Sequence, residues 1–267
     1  LAQGEMLGGF CLTEPHVGSD ASGLKTTAIK TADGYLLNGV KQFITSGKNG
    51  DVMIVIAVTD KAAGKKGMSA FIVPTKTPGY NVARLEDKLG QHSSDTAQIN
   101  FDNCLIPHEN LIGQEGEGYK IALGGLEGGR IGIAAQALGI ASGAYELALA
   151  YSKQRKAFGK EIMHHQAIQF KLADMVTKVE AARLLCFKAA ADKDEDKDYG
   201  FSSSMAKVYA SEAAMWISTE AVQVHGGYGF VKEYHVERLM RDAKITQIYE
   251  GTSEVQKIVI SRGILNV

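Results

Sequence analysis

From Gly8 to about Ile112 the chain alternates short apolar runs with turn residues: "GGFCLT", "LKTTAIKT", "YLLNGVKQFIT", "DVMIVIAV", "MSAFIVP", "YNVARL" and "TAQINFDN". Runs of this length and spacing predict strands, and together a small antiparallel β-barrel or sandwich. Asp33-Gly34 falls between two of them and reads as a type I′ hairpin, whose central residues both need positive φ. Met53 to Val58 is continuously apolar, which predicts a strand covered on both faces. From about Glu117 the period becomes helical. Ile168, Leu172, Met175, Val179, Ala182, Leu185 and Ala189 recur in steps of three or four, and Met205, Val208, Met215, Thr219 and Val222 continue the rule, so both sets read as core stripes. Ile131 to Tyr151 and Thr252 to Leu265 read the same way, and four long antiparallel helices in a bundle is the economical packing. The expected fold class is therefore α+β and multi-domain, with a β-domain over 1–113 and a four-helix bundle over 114–267. "DKDEDKD", Asp192 to Asp198, interrupts the helical pattern as a solvated turn.

Composition narrows the function classes. The 267 residues are 45% apolar, enough for one large or two ordinary cores, and 29 basic against 30 acidic side chains leave a net charge of -1. No long-range positive field exists to attract nucleic acid. Cys11, Cys104 and Cys186 lie far apart without a C-x-x-C pair, which fits a reducing compartment and buried thiols rather than a disulfide framework. No uninterrupted apolar run approaches the roughly 20 residues of a membrane span, so no membrane association is expected. The chain starts at Leu1, and "LAQGEMLGGF" reads like the tail of a helix entering a strand; a preceding segment is expected.

Generic catalytic signatures fail: there is no G-x-G-x-x-G opening a helix after a strand, no Walker A, no H-E-x-x-H and no G-x-S-x-G. His164-His165 is a poor metal pair, because adjacent side chains on a helix point about 100° apart; no metal is expected. Glycine is more telling. "GGLEGGR" (Gly124 to Arg130), "HGGYGF" (His225 to Phe230) and "EGTS" (Glu250 to Ser253) cluster glycines that a plain bundle does not need, since each costs up to about 1 kcal/mol against alanine inside a helix. Close approach of backbone to a ligand is one reason; hinge, cap and loop duty is the other. Ser253 and Gln256 have capping-box spacing.

Six stretches in order, "CLTEPHVGSD", "KQFITSG", "GRIGIAAQALGIA", "QRKAFGK", "QVHGGYGF" and "RDAKITQIYEGTSEVQ", resemble the acyl-CoA dehydrogenase family, most closely its short-chain, butyryl-CoA dehydrogenase-like members. They cover essentially the whole chain as that family's middle β-domain and C-terminal bundle, without its N-terminal helical domain. The resemblance implies FAD bound without a Rossmann motif. Phe10, Leu12, Thr13 and Ser19 match a segment along the isoalloxazine. Phe43, Ile44 and Thr45 match an aromatic-Ile-Thr stretch at the flavin, although Phe43 alone reads as core. Arg155 and Phe158 match residues lent to the FAD of a neighbouring subunit, so the resemblance also implies a homotetramer built as a dimer of dimers. His165, Gln166, Gln223, Gly226, Gly227, Thr252 and Glu254 match further FAD contacts. Glu250 matches the catalytic base for α,β-dehydrogenation of an acyl-CoA thioester, with Ser19, Glu127, Arg130, Tyr249, Gly251 and Arg262 at substrate positions. Some family branches carry the base at the position of Gly129, where glycine cannot serve. The implied acceptor is electron-transferring flavoprotein, and the implied compartment is the bacterial cytoplasm, or the mitochondrial matrix in a eukaryote. An acyl-CoA oxidase and a catalytically inactive binding module are the alternatives.

Overall fold

The structure, a computed structural model, describes residues 1–265; the last two residues of the helical expectation lie outside the described residues. The chain divides into two compact units, Leu1–Lys88 with His92–Gly125, and Leu89–Gln91 with everything from Leu126 onward.

The first unit is a sheet of β1 (Gly8–Cys11), β2 (Thr27–Lys30), β3 (Tyr35–Thr45), β4 (Val52–Val58), β5 (Met68–Pro74), β6 (Tyr80–Leu85), β7 (Thr96–Ile106) and β8 (Leu111–Ile112). The order is β6-β7-β3-β2-β4-β5-β8, with β1 also beside β4. The sheet is mixed rather than wholly antiparallel, because β1 and β4 run parallel, with Gly8 opposite Val52 and Cys11 opposite Val55. β4 is covered as its apolar run requires: Met53, Val55, Ile56 and Ala57 are inaccessible, and they join Leu37, Phe71, Ile99 and Ile106 in the core.

The β2–β3 loop departs from the type I′ expectation. Thr31 N–H bonds the Gly34 carbonyl at 2.8 Å across a four-residue loop, and only Gly34, with φ 148°, has positive φ there. Glycine is needed at 34 because a Cβ would overlap the Ile106 carbonyl oxygen. A two-residue loop with positive φ at both positions occurs instead at Phe158 (52°) and Gly159 (81°), joining β9 (Lys156–Ala157) to β10 (Lys160–Glu161).

The second unit is helical: α1 (Gly118–Gln154, whose first turns belong to the first unit), α2 (Gln166–Asp194), α3 (Gly200–His225), α4 (Val236–Lys244) and α5 (Ser253–Leu265). The sequence pattern missed α4, which is short and mostly charged, its Arg241 paired with Glu237 one turn earlier at 2.7 and 3.0 Å. The α2 stripe is buried at Met175, Val179, Ala182 and Ala189, with Ile168, Leu172 and Leu185 partly so. On α3 the stripe is displaced. Its inaccessible face is Ser203, Ala206, Lys207, Ala210, Ser211, Ala214, Ile217 and Ala221, not Met205, Val208 and Thr219. The serines are tolerated because Ser203, Ser211 and Ser218 each return their hydroxyl to the carbonyl three residues back at 3.1 Å. α1 contributes Ala134, Ala137, Ala141, Ala144 and Ala148, all at 0% exposure. No stretch of α1 is an uninterrupted apolar run of that length, but the helix is long and apolar enough to cross a membrane by length and composition, with a mean hydropathy of 1.3 in its best window; its alanine face lies in the helical core.

Gly34→Ala is expected to cost roughly 2 kcal/mol in chemical denaturation, through both φ and overlap. Gly64→Ala, at φ 57° with open space around it, is expected to cost about 1 kcal/mol.

Candidate active site around Glu250

The 3₁₀ turn Ile245–Gln247 ends α4's extension, and the chain then turns sharply into α5. Glu250 (φ 57°) and Gly251 (φ 87°) are both left-handed, a conformation a non-glycine residue adopts only when its surroundings hold it. Two side chains hold it here. Gln256 Nε2 donates to the carbonyls of Glu250 at 3.1 Å and Gly251 at 2.9 Å, and Lys207 Nζ donates to the Gly251 carbonyl at 2.7 Å. The capping-box reading needs correction by one residue: Thr252 Oγ1 caps the helix by accepting the Val255 N–H at 3.3 Å. Ser253 donates to Glu212 instead, at 2.8 Å, and Gln256 serves the turn rather than the cap. Glycine suits position 251 because its φ of 87° strains any L side chain, and a Cβ there would also displace the Gln256 amide, 2.5 Å away.

The Glu250 carboxylate points at α1. A Cβ on Gly129 would lie 2.8 Å from Glu250 Oε2, so positions 129 and 250 address the same point and glycine at one makes room for the carboxylate of the other. Burial raises the Glu250 pKa above the usual carboxylate range, with the charges of Lys207 and Arg130 pulling the other way. Arg130 is itself buried, which lowers its pKa against the opposing charges of Glu127 and Glu250. Its Nη1 reaches Ser204 Oγ at 3.3 Å, while Nε has no partner among the described residues. Tyr249 hydroxyl donates to Gln136, and burial pushes its pKa up to about 12. Glu127 lies against the start of α3, its Oε1 3.6 Å from the Cβ position of Gly200. Thus Glu127 is linked to Glu250 through Arg130, on which both carboxylates act, and Arg130, Tyr249 and Gly251 adjoin Glu250. Arg262 does not; it is exposed on the last turn of α5, roughly 14 Å along the axis from Ser253. Glu254 is exposed on the first turn, its pKa lowered by its own backbone N–H and by Thr252.

A second feature of the helical unit is a cavity of about 670 Å³ walled by Tyr151, Arg155, His225, Tyr228 and Tyr234, with Gly226 and Gly227 on its border. Tyr151 stacks on His225 with ring centres 4.2 Å apart, and the Arg155 guanidinium lies over Tyr228 at 5.5 Å. A Cβ at Gly226 or Gly227 would meet nothing within 4 Å. Phe158, 95% exposed, stands edge-on to His165 at 5.9 Å, whose Nε2 is 3.1 Å from the Ala157 carbonyl. Gln166 and Gln223 are exposed at the ends of α2 and α3.

In the sheet unit, Phe10 and Thr13 are half-buried, Leu12 is buried and Ser19 is exposed. Phe43 is 62% exposed and not core: an irregularity in the β3–β7 register between Lys41 and Ile44 and a φ of 58° turn it outward and Lys41 inward. Ile44, at 2% exposure, is the core residue, and Thr45 faces out. Fully buried Lys41 donates to the Leu12 carbonyl and to Glu14 Oε1, both at 2.9 Å. The Glu14 carboxylate also accepts the Lys25 and Thr26 N–H groups at 2.8 and 3.0 Å. Burial alone would raise the Glu14 pKa; Lys41 and these donors outweigh it and lower it. This pair ties the 12–14 segment to the Phe43 strand. It went unseen in the sequence, where "KQFITSG" drew attention to Phe43. Lys207 was likewise missed; its signal was a lone lysine among Ser and Ala at helical spacing.

A β unit followed by a helical unit that turns a half-buried carboxylate onto a glycine of its long first helix defines a two-part architecture. The family described as "Acyl-CoA dehydrogenase, middle domain" matches residues 9–104, and "Acyl-CoA dehydrogenase, C-terminal domain" matches residues 116–265. The chain belongs to the acyl-CoA dehydrogenase family. It is 53% identical over 266 residues to the short-chain specific acyl-CoA dehydrogenase of Megasphaera elsdenii, across 99% of this chain and 70% of that protein. Its structure matches that of butyryl-CoA dehydrogenase from the same organism with a TM-score of 0.97 at 53% identity, covering 98% of this chain and 69% of the other. A chain in a structure of the electron transferring flavoprotein of Acidaminococcus fermentans matches with a TM-score of 0.99, also at 53% identity, covering 100% and 70%.

Glu14→Leu alone, which strands the Lys41 ammonium, is expected to cost about 3–5 kcal/mol in chemical denaturation, whereas Glu14→Leu with Lys41→Met recovers most of the loss.

Proposed function

We propose that the chain dehydrogenates short-chain acyl-CoA thioesters, butyryl-CoA among them, to trans-2-enoyl-CoA, with FAD as cofactor and Glu250 as base. The observation that carries this reading is the Glu250 carboxylate: half-buried, raised in pKa by its partial removal from water, and held at a left-handed turn against the glycine of α1. A base for a weakly acidic Cα–H needs such a setting, because desolvation moves a carboxylate toward the working pH.

The residues proposed to hold FAD fit a dinucleotide. Open backbone at Gly226 and Gly227 borders a cavity that also offers the Arg155 guanidinium, whose planar fork suits a pyrophosphate. Phe10, Leu12, Thr13, Ser19, Phe43, Ile44, Thr45, Phe158, His165, Gln166, Gln223, Thr252 and Glu254 complete the proposed set, Ile44 through its backbone since its side chain is core. Bound there, FAD supplies the hydride acceptor. Glu250 removes the Cα proton, and its own backbone N–H donates to the thioester oxygen as negative charge develops, a contribution of about 3–4 kcal/mol. Arg130, with Nε free for an acceptor, and Glu127 orient the CoA ester, while Tyr249 and Gly251 flank the base. Ser19 and Arg262 are further proposed substrate contacts. Electron-transferring flavoprotein is the proposed acceptor, supported by the name of the Acidaminococcus neighbour. A tetramer in which Arg155 and Phe158 reach a neighbouring protomer's FAD is supported by the exposure of Phe158 at a strained turn.

Anaerobic mixing of the FAD-loaded protein with butyryl-CoA is expected to bleach the flavin. Bleaching should slow as pH falls through the raised Glu250 pKa, since only the carboxylate accepts the proton. Glu250→Gln should bind flavin and acyl-CoA but bleach at least about 100-fold more slowly. Parent-rate bleaching by that variant overturns the base, and a protein that takes up no FAD overturns the reaction.

A further inference from the structure

We infer that Lys207 is a positioning residue for Glu250: from α3 its buried ammonium anchors the Gly251 carbonyl and brings a positive charge to the turn that carries the Glu250 carboxylate. The inference rests on the reading of Glu250 as the base.

Lys207 has 0% exposure on a helix face otherwise made of Ser203, Ala206, Ala210, Ser211 and Ala214. A lysine is almost never fully buried without a partner, and its partner here is a backbone carbonyl, Gly251, at 2.7 Å. Anchoring alone does not require it. Gln256, a neutral donor, already bonds the same carbonyl at 2.9 Å and that of Glu250 at 3.1 Å. What Lys207 adds is charge. The groups whose charges reach it are Glu250, Glu212 and Glu254, which favour the ammonium, and Arg130, which opposes it; burial outweighs them and brings its pKa down to about 8. The ammonium is still protonated at neutral pH. Glu250 feels burial and two cations, Lys207 and Arg130, and Arg130 is shared with Glu127. Lys207 is thus the cation whose hydrogen bond ties it to the turn that carries the base. Without it, burial would hold Glu250 protonated to higher pH and leave less of the base ready at neutrality.

The test uses the FAD-loaded protein labelled with ¹³C at glutamate carboxyls, the Glu250 signal being assigned by its loss in Glu250→Gln. In Lys207→Met the Glu250 signal is expected to titrate at higher pH than in the parent, and Lys207→Arg is expected to restore it. The Met stem fills the same space, and Gln256 still satisfies the carbonyl. Lys207→Gln keeps a neutral donor and separates charge from anchoring: it too should show the upward shift. With butyryl-CoA, Lys207→Met should lower kcat about 10-fold or more at pH 7 with KM within about twofold, the deficit narrowing as pH rises. A parent-like Glu250 titration in both Lys207→Met and Lys207→Gln overturns the inference. The titration does not depend on turnover, so if Glu250→Gln bleached flavin normally the base reading would fail while the Lys207 coupling could still be read.

Discussion

A carboxylate that is to take a proton from carbon must be dry enough to be basic and yet remain ionised. Under the proposal that Glu250 is that base, its surroundings answer both demands. Burial raises its pKa, while Lys207 and Arg130 keep the rise in check. The left-handed pair at 250 and 251 aims the carboxylate at α1 rather than at solvent, and Gln256 and Lys207 occupy the carbonyls that such a turn would otherwise strand. Without those two charges the Glu250 pKa would rise further, and without the turn the carboxylate would not face α1.

That arrangement needs helices with small faces. α1 supplies alanines and α3 alanines and serines to the core, and the serine hydroxyls close onto their own helix, so they pack as though apolar. On such a face one long side chain can run through the core and bring its charge to a neighbouring loop. Lys207 does this in the helical unit, and Lys41 does the same in the sheet unit, reaching the Leu12 carbonyl and Glu14. In both units a buried lysine ties a loop segment to regular secondary structure.

The two periods along the chain were enough to separate a sheet from helices, and the apolar run of β4 was legible as doubly covered. Other features were not. The parallel β1–β4 pair escaped because pairing partners far apart in sequence leave no local mark. The α3 face was misplaced because serine counts as polar in any hydrophobic pattern, although here its hydroxyl is internally satisfied. The one-residue error in the α5 cap arose because "GTSE" offers two adjacent capping hydroxyls, and only the turn geometry decides that Thr252 acts. At the site, Glu250 and its neighbours came from the resemblance of "IYEGTSEVQ". Lys207 and the Glu14–Lys41 pair belong to three-dimensional proximity and had no motif to announce them.

Gly129 and Glu250 have a consequence for how such a site can change over time. Because a Cβ at 129 would stand 2.8 Å from Glu250 Oε2, the two positions share one space, and a carboxylate moves from one to the other by single replacements only through a chain that has either two crowded acids or none. A chain with both acids would have to swing the Glu250 carboxylate aside, and a chain with neither would lack the proposed base, so the shape of the first helix makes each intermediate the less fit for the chemistry proposed here.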